Sequence, residues 1–224
     1  MLSILIPTYN YNVYPLVTEL KNQADALGID YEILVQDDGS YLYLEENRKI
    51  YELGNCSFLE NKENLGRSKV RNLLSTQAKF NCLLFLDSDT FPKNSDYILK
   101  YIQNISSKTG IIYGGIEYQN EEPEKNRILR WVYGKEREAL SVNKRSKNKY
   151  LSFLTLNFLV NKSVFKNVKF NENIPNLRHE DTLFSYDLFK ASGKPKNPFT
   201  CWYNSSIRSS GIPWFFTATK PTSS

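Results

Sequence analysis

At 224 residues, with 41% hydrophobic and 14% aromatic side chains, the chain is long enough to bury a core and too apolar for a disordered segment. Its formal charge of +5 comes with no recognition motif for DNA or RNA, so a nucleic-acid partner is not indicated. The three cysteines, Cys56, Cys82 and Cys201, lack the close spacing of zinc or redox sites and read as reduced, cytoplasmic thiols.

Residues 2–6 read as a first strand, because the N-terminus is too short and too poor in basic residues for a secretion signal. A loop, Pro7-Thr8-Tyr9-Asn10-Tyr11-Asn12, follows. The spacing of Val13, Leu16, Val17, Leu20, Ala24 and Leu27 predicts a helix that stops at Gly28. A second strand over 31–35 runs out into Asp37-Asp38-Gly39-Ser40, and a helix is expected over 41–53. A short strand at 57–60 precedes a helix over 66–79. Residues 82–86 are continuously apolar, the mark of a strand buried on both faces of a parallel sheet. Pro92 is expected to start a helix that occupies 94–106, before a strand over 110–116. Strands alternating with helices in this order specify an α/β fold whose central sheet is mostly parallel, with right-handed crossovers.

After Gly115 the pattern changes. Residues 117–149 are charged, with an apolar break at 128–133, and read as a connecting helix followed by a mobile basic loop. Residues 151–160 are apolar and β-prone, with Asn157 among them. Arg178-His179-Glu180-Asp181 opens an apolar helix over 182–191, and from Gly193 the pattern dissolves into Pro, Ser, Asn and Thr. This describes one domain in which 117–192 cover the mouth of 1–116, with 193–224 as a weakly structured tail. No apolar run approaches the ~20 residues that span a bilayer, so the chain is expected to be soluble or peripheral to a membrane.

Chemistry gathers at the strand ends. Ligands in open α/β sheets bind beyond the carboxyl ends of strands, and there the third long strand carries Asp87-Ser88-Asp89. Two acids at this place either cap the next helix or hold a divalent cation bound to phosphate oxygens. Asp37 and Asp38 emerge on the same edge, as do the hydroxyl and ring of Thr8 and Tyr9. Arg67 and Arg71 lie one turn apart on one helix face, at a helix start where the dipole prefers an anion, so negative charge is expected nearby. In His179-Glu180-Asp181 the acids suit a helix N-terminus, and a carboxylate there can also take a proton from an attacking hydroxyl. A zinc site is not indicated, since the single His, with no Cys nearby, offers too few preferred ligands.

Taken together, Ser3 to Asn10, Asp37-Asp38-Gly39-Ser40, Asn64-Leu65-Gly66-Arg67 to Asn72, Leu86-Asp87-Ser88-Asp89 and His179-Glu180-Asp181 resemble the family 2 glycosyltransferases. The resemblance covers roughly residues 1–190. It implies a GT-A fold, Rossmann-like and single-domain, and inverting transfer of a sugar from a nucleotide diphosphate sugar, often UDP-linked, to an acceptor hydroxyl. It implies further that residues 1–116 bind the nucleotide sugar and 117–192 the acceptor. Pro7, Thr8 and Tyr9 would line the nucleoside pocket, with Asp37 shaping the turn and Asp38 accepting a hydrogen bond from the base. Arg67 or Arg71 would approach the base or diphosphate. Asp87, with Ser88 beside it, would face ribose and metal, and Asp89 would bind Mn²⁺ or Mg²⁺. Asp181 would be the general base, with Glu180 the alternative. Trp131 and Tyr133 are candidates to stack on sugars or to pack in the core. The later acid or His that completes the metal site in many relatives has no counterpart here.

Two other classes compete. A nucleotidyltransferase also sets acids near a nucleotide, but would carry a Gly-rich basic loop where this chain has Pro7-Thr8-Tyr9-Asn10. A non-catalytic, nucleotide-sugar-binding protein is the other, favoured by the unusual tail. The partners expected are a nucleotide sugar and a glycan or glycolipid acceptor. The basic stretch 137–149 is either a solvated loop or a peripheral contact with anionic glycan or lipid at the inner membrane face, where surface polysaccharide is assembled.

Overall fold

The computed structural model describes residues 1–105, 110–147, 151–174, 179–191, 199–201 and 207–209. Four strands, β1 (Leu2–Thr8), β2 (Tyr31–Asp37), β3 (Cys56–Glu60) and β4 (Cys82–Leu86), pair in parallel in the order β3-β2-β1-β4. They are joined by α1 (Tyr14–Ala26), by α2 (Leu44–Arg48) with a 3₁₀ turn after it, and by α3 (Arg67–Gln77). Beyond β4 come β5 (Thr90–Pro92), α4 (Tyr97–Asn104), β6 (Ile111–Tyr113), β7 (Ile116–Tyr118), α5 (Ile128–Arg137) and α6 (Val142–Lys147). The chain then forms β8 (Asn157–Asn161), α7 (Lys162–Asn167), α8 (Glu180–Ala191), β9 (Phe199–Cys201) and β10 (Ile207–Ser209). The main sheet runs β3-β2-β1-β4-β8-β6-β9, with β8 antiparallel to both neighbours, and β5-β10-β7 form a small second sheet.

Both faces of the main sheet are covered, which is why its strands lack polar alternation. Leu2, Ile4, Ile6, Leu84, Leu86 and Leu159 pack on one side with residues of α1 and α4, including Leu20 and Ile98. Leu5, Leu83, Phe85, Phe158 and Val160 face the other side, under Val70 and Leu74 of α3 and Phe184 of α8. Each such side chain contributes about 1.5–3 kcal/mol by leaving water. Phe170 and Phe184 stack at 4.1 Å, and Phe85 and Phe158 at 4.9 Å, so the second face is largely aromatic. Cys56 and Cys82 are free thiols, and burial pushes Cys56 up to about 11, away from nucleophilic use.

Several expected elements differ in detail. Pro92 lies in β5, a strand, rather than at a helix start. The strand expected over 110–116 is broken into β6 and β7, because Gly115 turns the chain at φ +83°. Asn157 fixes that break: its Nδ2 donates to the Gly115 carbonyl at 2.8 Å, and its Oδ1 accepts from the hydroxyls of Tyr97 (2.6 Å) and Tyr101 (2.7 Å). Of the β-prone stretch 151–160, only the end from Asn157 is a strand. The apolar run at 128–133 is the body of α5, and the basic segment behind it holds α6, in which Arg145 is buried. Residues 148–150 and most of the tail lie outside the described residues, although β9 and β10 carry the chain back into both sheets.

Candidate active site

The turn after β4 is closed by its own backbone. The Asp87 N–H donates to the Leu156 carbonyl at 3.0 Å, and the Asp87 carbonyl accepts from the Thr90 N–H (3.1 Å) and hydroxyl (2.7 Å). Asp87 and Asp89 are thereby held at the strand end, with Ser88 buried between them. Burial, and then the charge of Asp87, push the Asp89 carboxyl up to about 7 against the pull of Arg67.

Arg67 and Arg71 share one face of α3, as their spacing predicts, and both point to acids. Arg71 is 1% exposed, donates Nη2 to Asp87 Oδ1 at 2.7 Å, and keeps Nη1 3.7 Å from Glu180 Oε1. Its guanidinium lies 5.3 Å from the centre of the Phe170 ring. Arg67 Nη1 donates to the same Glu180 oxygen at 2.6 Å. Burial alone would raise Glu180, but Arg67 and Arg71 outweigh it and hold this carboxyl below its ordinary value. Asp181, the next residue, is moved the other way, by burial and then by the charge of Glu180. The neighbours at the start of α8 are thus pushed apart: Glu180 is a fixed anion, and Asp181 is the better proton acceptor. His179 precedes them at φ 88°, a costly conformation for a residue with a Cβ, and its carbonyl accepts the Leu183 N–H at 3.0 Å.

The earlier loops form a stitched edge. Asp38 is fully buried; its Oδ1 accepts from the Leu65 N–H (2.7 Å) and Asn61 Nδ2 (3.1 Å), and its Oδ2 from the Gly66 N–H (3.0 Å). It therefore sets where α3, and so Arg67, begins. Gly39 allows this approach, since a Cβ there would sit 2.7 Å from the Glu63 carbonyl carbon. Asp37 accepts the Ser40 N–H at 2.8 Å, and burial pushes its carboxyl up. Asn10 accepts from the N–H groups of Tyr41 (2.9 Å) and Leu42 (3.2 Å) and donates its own N–H to the Ser40 hydroxyl at 2.7 Å. Pro7 and Thr8 are buried at the end of β1, and Tyr9 is half-buried beyond it.

A cavity of about 740 Å³ opens beside these groups. Arg67, Asp87, Asp89, Glu180 and Asp181 line it, together with Arg130 of α5. Pro7, Thr8, Tyr9, Asp37, Asp38, Arg71 and Ser88 are not among its lining residues. Tyr133 is, whereas Trp131 donates its Nε1 to the Gln119 carbonyl at 2.7 Å and packs under Lys135.

Arg130 is the site residue that sequence patterns miss. It donates Nη2 to Glu138 Oε2 at 2.9 Å, to which the Tyr118 hydroxyl also donates, while its Nη1 is buried without a hydrogen-bond partner. The available signal was a lone cation inside the apolar run 128–133. Gly134 lets α5 close on this cluster, because a Cβ there would fall 2.1 Å from Tyr118 Cζ. Gly134→Ala is therefore expected to destabilise the fold by about 1–3 kcal/mol, read as a lower urea midpoint; an unchanged midpoint would show that Tyr118 is free to move.

Among the described residues no group of three or more His, Cys, Asp or Glu side chains is placed to hold a metal ion by itself. Asp87 and Asp89 nonetheless fit a hard divalent cation. Carboxylate oxygens are its preferred ligands, and Mg²⁺ in particular is commonly held by one or two carboxylates with phosphate and water completing the shell. With Asp87 Oδ1 engaged by Arg71, Oδ2 is the oxygen left for such a role.

The sequence model of glycosyl transferase family 2 matches residues 3–174. No curated protein matches the chain in sequence. Among solved structures, S. aureus TarS 1–349 aligns with a TM-score of 0.63 at 20% identity, over 84% of this chain and 55% of that one. TarS 1–349 in complex with UDP-GlcNAc aligns with a TM-score of 0.62 at 21% identity, over 84% and 53% of the two chains. The mannosyltransferase PcManGT from Pyrobaculum calidifontis, in complex with GDP-Man and Mn²⁺, gives 0.62 at 12% identity, over 95% and 57%. The present chain thus spans little more than half the length of these relatives, and the likeness establishes a shared fold.

Proposed function

The chain belongs to glycosyl transferase family 2, and from that premise we propose that it moves a sugar from a UDP-sugar to an acceptor hydroxyl with inversion at the anomeric carbon. The observation that carries this reading is the division of labour across one cavity: Asp87 and Asp89 on one strand end, and Asp181 beside a Glu180 already neutralised by two arginines. The choice of UDP follows the TarS complexes with UDP and UDP-GlcNAc. Half-buried free thiols at Cys56 and Cys82 suit a reducing cytoplasm.

Asp181 accepts the proton of the acceptor hydroxyl as that oxygen attacks, and the nucleoside diphosphate leaves from the opposite face. Arg130, tied to Glu138 through Nη2, brings a fixed positive charge to the cavity wall, where negative charge develops on the diphosphate. Asp38 and Asn10 act at a distance, holding the loops that place Arg67 and the nucleoside edge. A bound Mn²⁺ or Mg²⁺ would supply charge neutralisation on the diphosphate, held by Asp87 and Asp89.

A thermal-shift screen of UDP- and GDP-sugars with Mn²⁺ tests the donor: a UDP-sugar should raise the melting temperature most, and a larger shift with GDP-sugars would reassign the base. Asp89→Ala is expected to abolish the metal-dependent part of donor affinity. Calorimetry showing the same UDP affinity with and without Mn²⁺ in the parent protein would remove the metal from the scheme.

A further inference from the structure

Among the described residues, α5 presents a side left exposed. Its inner side is occupied by Gly134 against Tyr118 and by the Arg130–Glu138 pair. Its outer side carries Leu129, Val132 and Tyr133, which are 84%, 39% and 56% exposed. Their i, i+3, i+4 spacing puts them on one face. Leu151, 58% exposed, joins Leu129 and Tyr133 on the wall of the catalytic cavity. A single exposed leucine needs no explanation, but a cluster of four at the mouth of a site marks an interaction surface. Apart from Arg130, which pairs with Glu138, residues 125–137 expose four cations (Lys125, Arg127, Lys135, Arg137) against one acid, Glu136, with Glu121, Glu122 and Glu124 ahead of them, and α6 adds exposed Lys144 and Lys147.

We propose that the outer side of α5 seats this protein on an anionic lipid surface, with the mouth of the cavity turned toward the headgroups. The composition selects that occupant: apolar side chains enter the acyl boundary while flanking Lys and Arg reach up to anionic phosphates along their aliphatic stems. Among the described residues no helix is long and apolar enough to cross a membrane, and the proposed contact of α5 lies in the interface plane. In its consequence the inference rests on the proposed transferase function, since the acceptor hydroxyl would then be delivered from the lipid surface.

Co-sedimentation with phosphatidylcholine vesicles, with and without phosphatidylglycerol, tests it in the absence of nucleotide and metal. The protein should pellet with the anionic vesicles at low salt and be released at about 1 M salt, where the screening length falls to about 3 Å. Leu129→Glu with Val132→Glu should lower retention about tenfold or more. Lys125→Glu with Lys135→Glu should lower it similarly while leaving UDP binding and the melting temperature unchanged. No retention on anionic vesicles overturns the inference, as does equal retention of both double variants. A parent dimer in light scattering that Val132→Glu splits would assign the face to a second copy and overturn it as well. Vesicle retention without UDP binding would leave docking standing and sink the transferase reading; UDP binding without retention would do the reverse.

Discussion

Asp181→Asn is expected to bind a UDP-sugar as the parent protein does and to lower transfer by about 10²–10⁴-fold, the usual contribution of a general base. The amide keeps the shape and can still accept the Thr182 N–H, which in the parent reaches Asp181 Oδ1 at 2.7 Å. Only the ability to take a proton is lost. Glu180 cannot substitute, because Arg67 and Arg71 hold it as a fixed anion. In the parent, the base must be ionised to act, so the rate should fall as pH drops through the Asp181 value. Burial and the charge of Glu180 raise that value, and the acidic limb should lie above the ordinary aspartate range near ~4. Transfer by Asp181→Asn at the parental rate would move the base elsewhere.

Arg71→Leu should be the most damaging single change to the fold, by about 3–5 kcal/mol. Leucine fits the apolar surroundings near Phe170, so the loss is electrostatic rather than steric. Asp87 would lose its 2.7 Å partner, and Glu180 would keep Arg67 alone. Buried Glu180 and half-buried Asp87 would then be left with Arg67, which pairs with Glu180. Arg71→Lys retains the charge but not the planar fork that spans both acids, and an intermediate loss is expected. Urea unfolding measures both, and a parental midpoint for Arg71→Leu would show that the acids are held by water or by other groups. The same variant should weaken UDP binding, because Asp87 would no longer be fixed at the strand end.

The pairing of Arg67 with Arg71 was legible because an i, i+4 spacing is a geometric statement about one helix. So was the convergence of strand ends, since parallel strands must expose their carboxyl ends on one edge. Arg130 was not legible: its role depends on β7, which places Tyr118 beneath α5, and on Gly134, which permits that approach. Nor was the fate of Asp38, which is shown to bind the Leu65 and Gly66 amides only once the loop before α3 folds back over it.

What the chain's linear order determined by itself is therefore the local and periodic part: buried parallel strands from continuous apolar runs, helix faces from 3.6-residue spacing, and acids at particular strand ends. Glu180 and Asp181 are adjacent acids in sequence and look alike there. Only the tertiary structure separates them, by bringing Arg67 and Arg71 from a helix more than a hundred residues earlier against one and leaving burial to act on the other. Long-range charge and desolvation decide the proton affinity of each, and neither is a property of sequence neighbours. The pair Asp87 and Asp89 follows the same rule, since their position comes from β4 and their charge balance from α3.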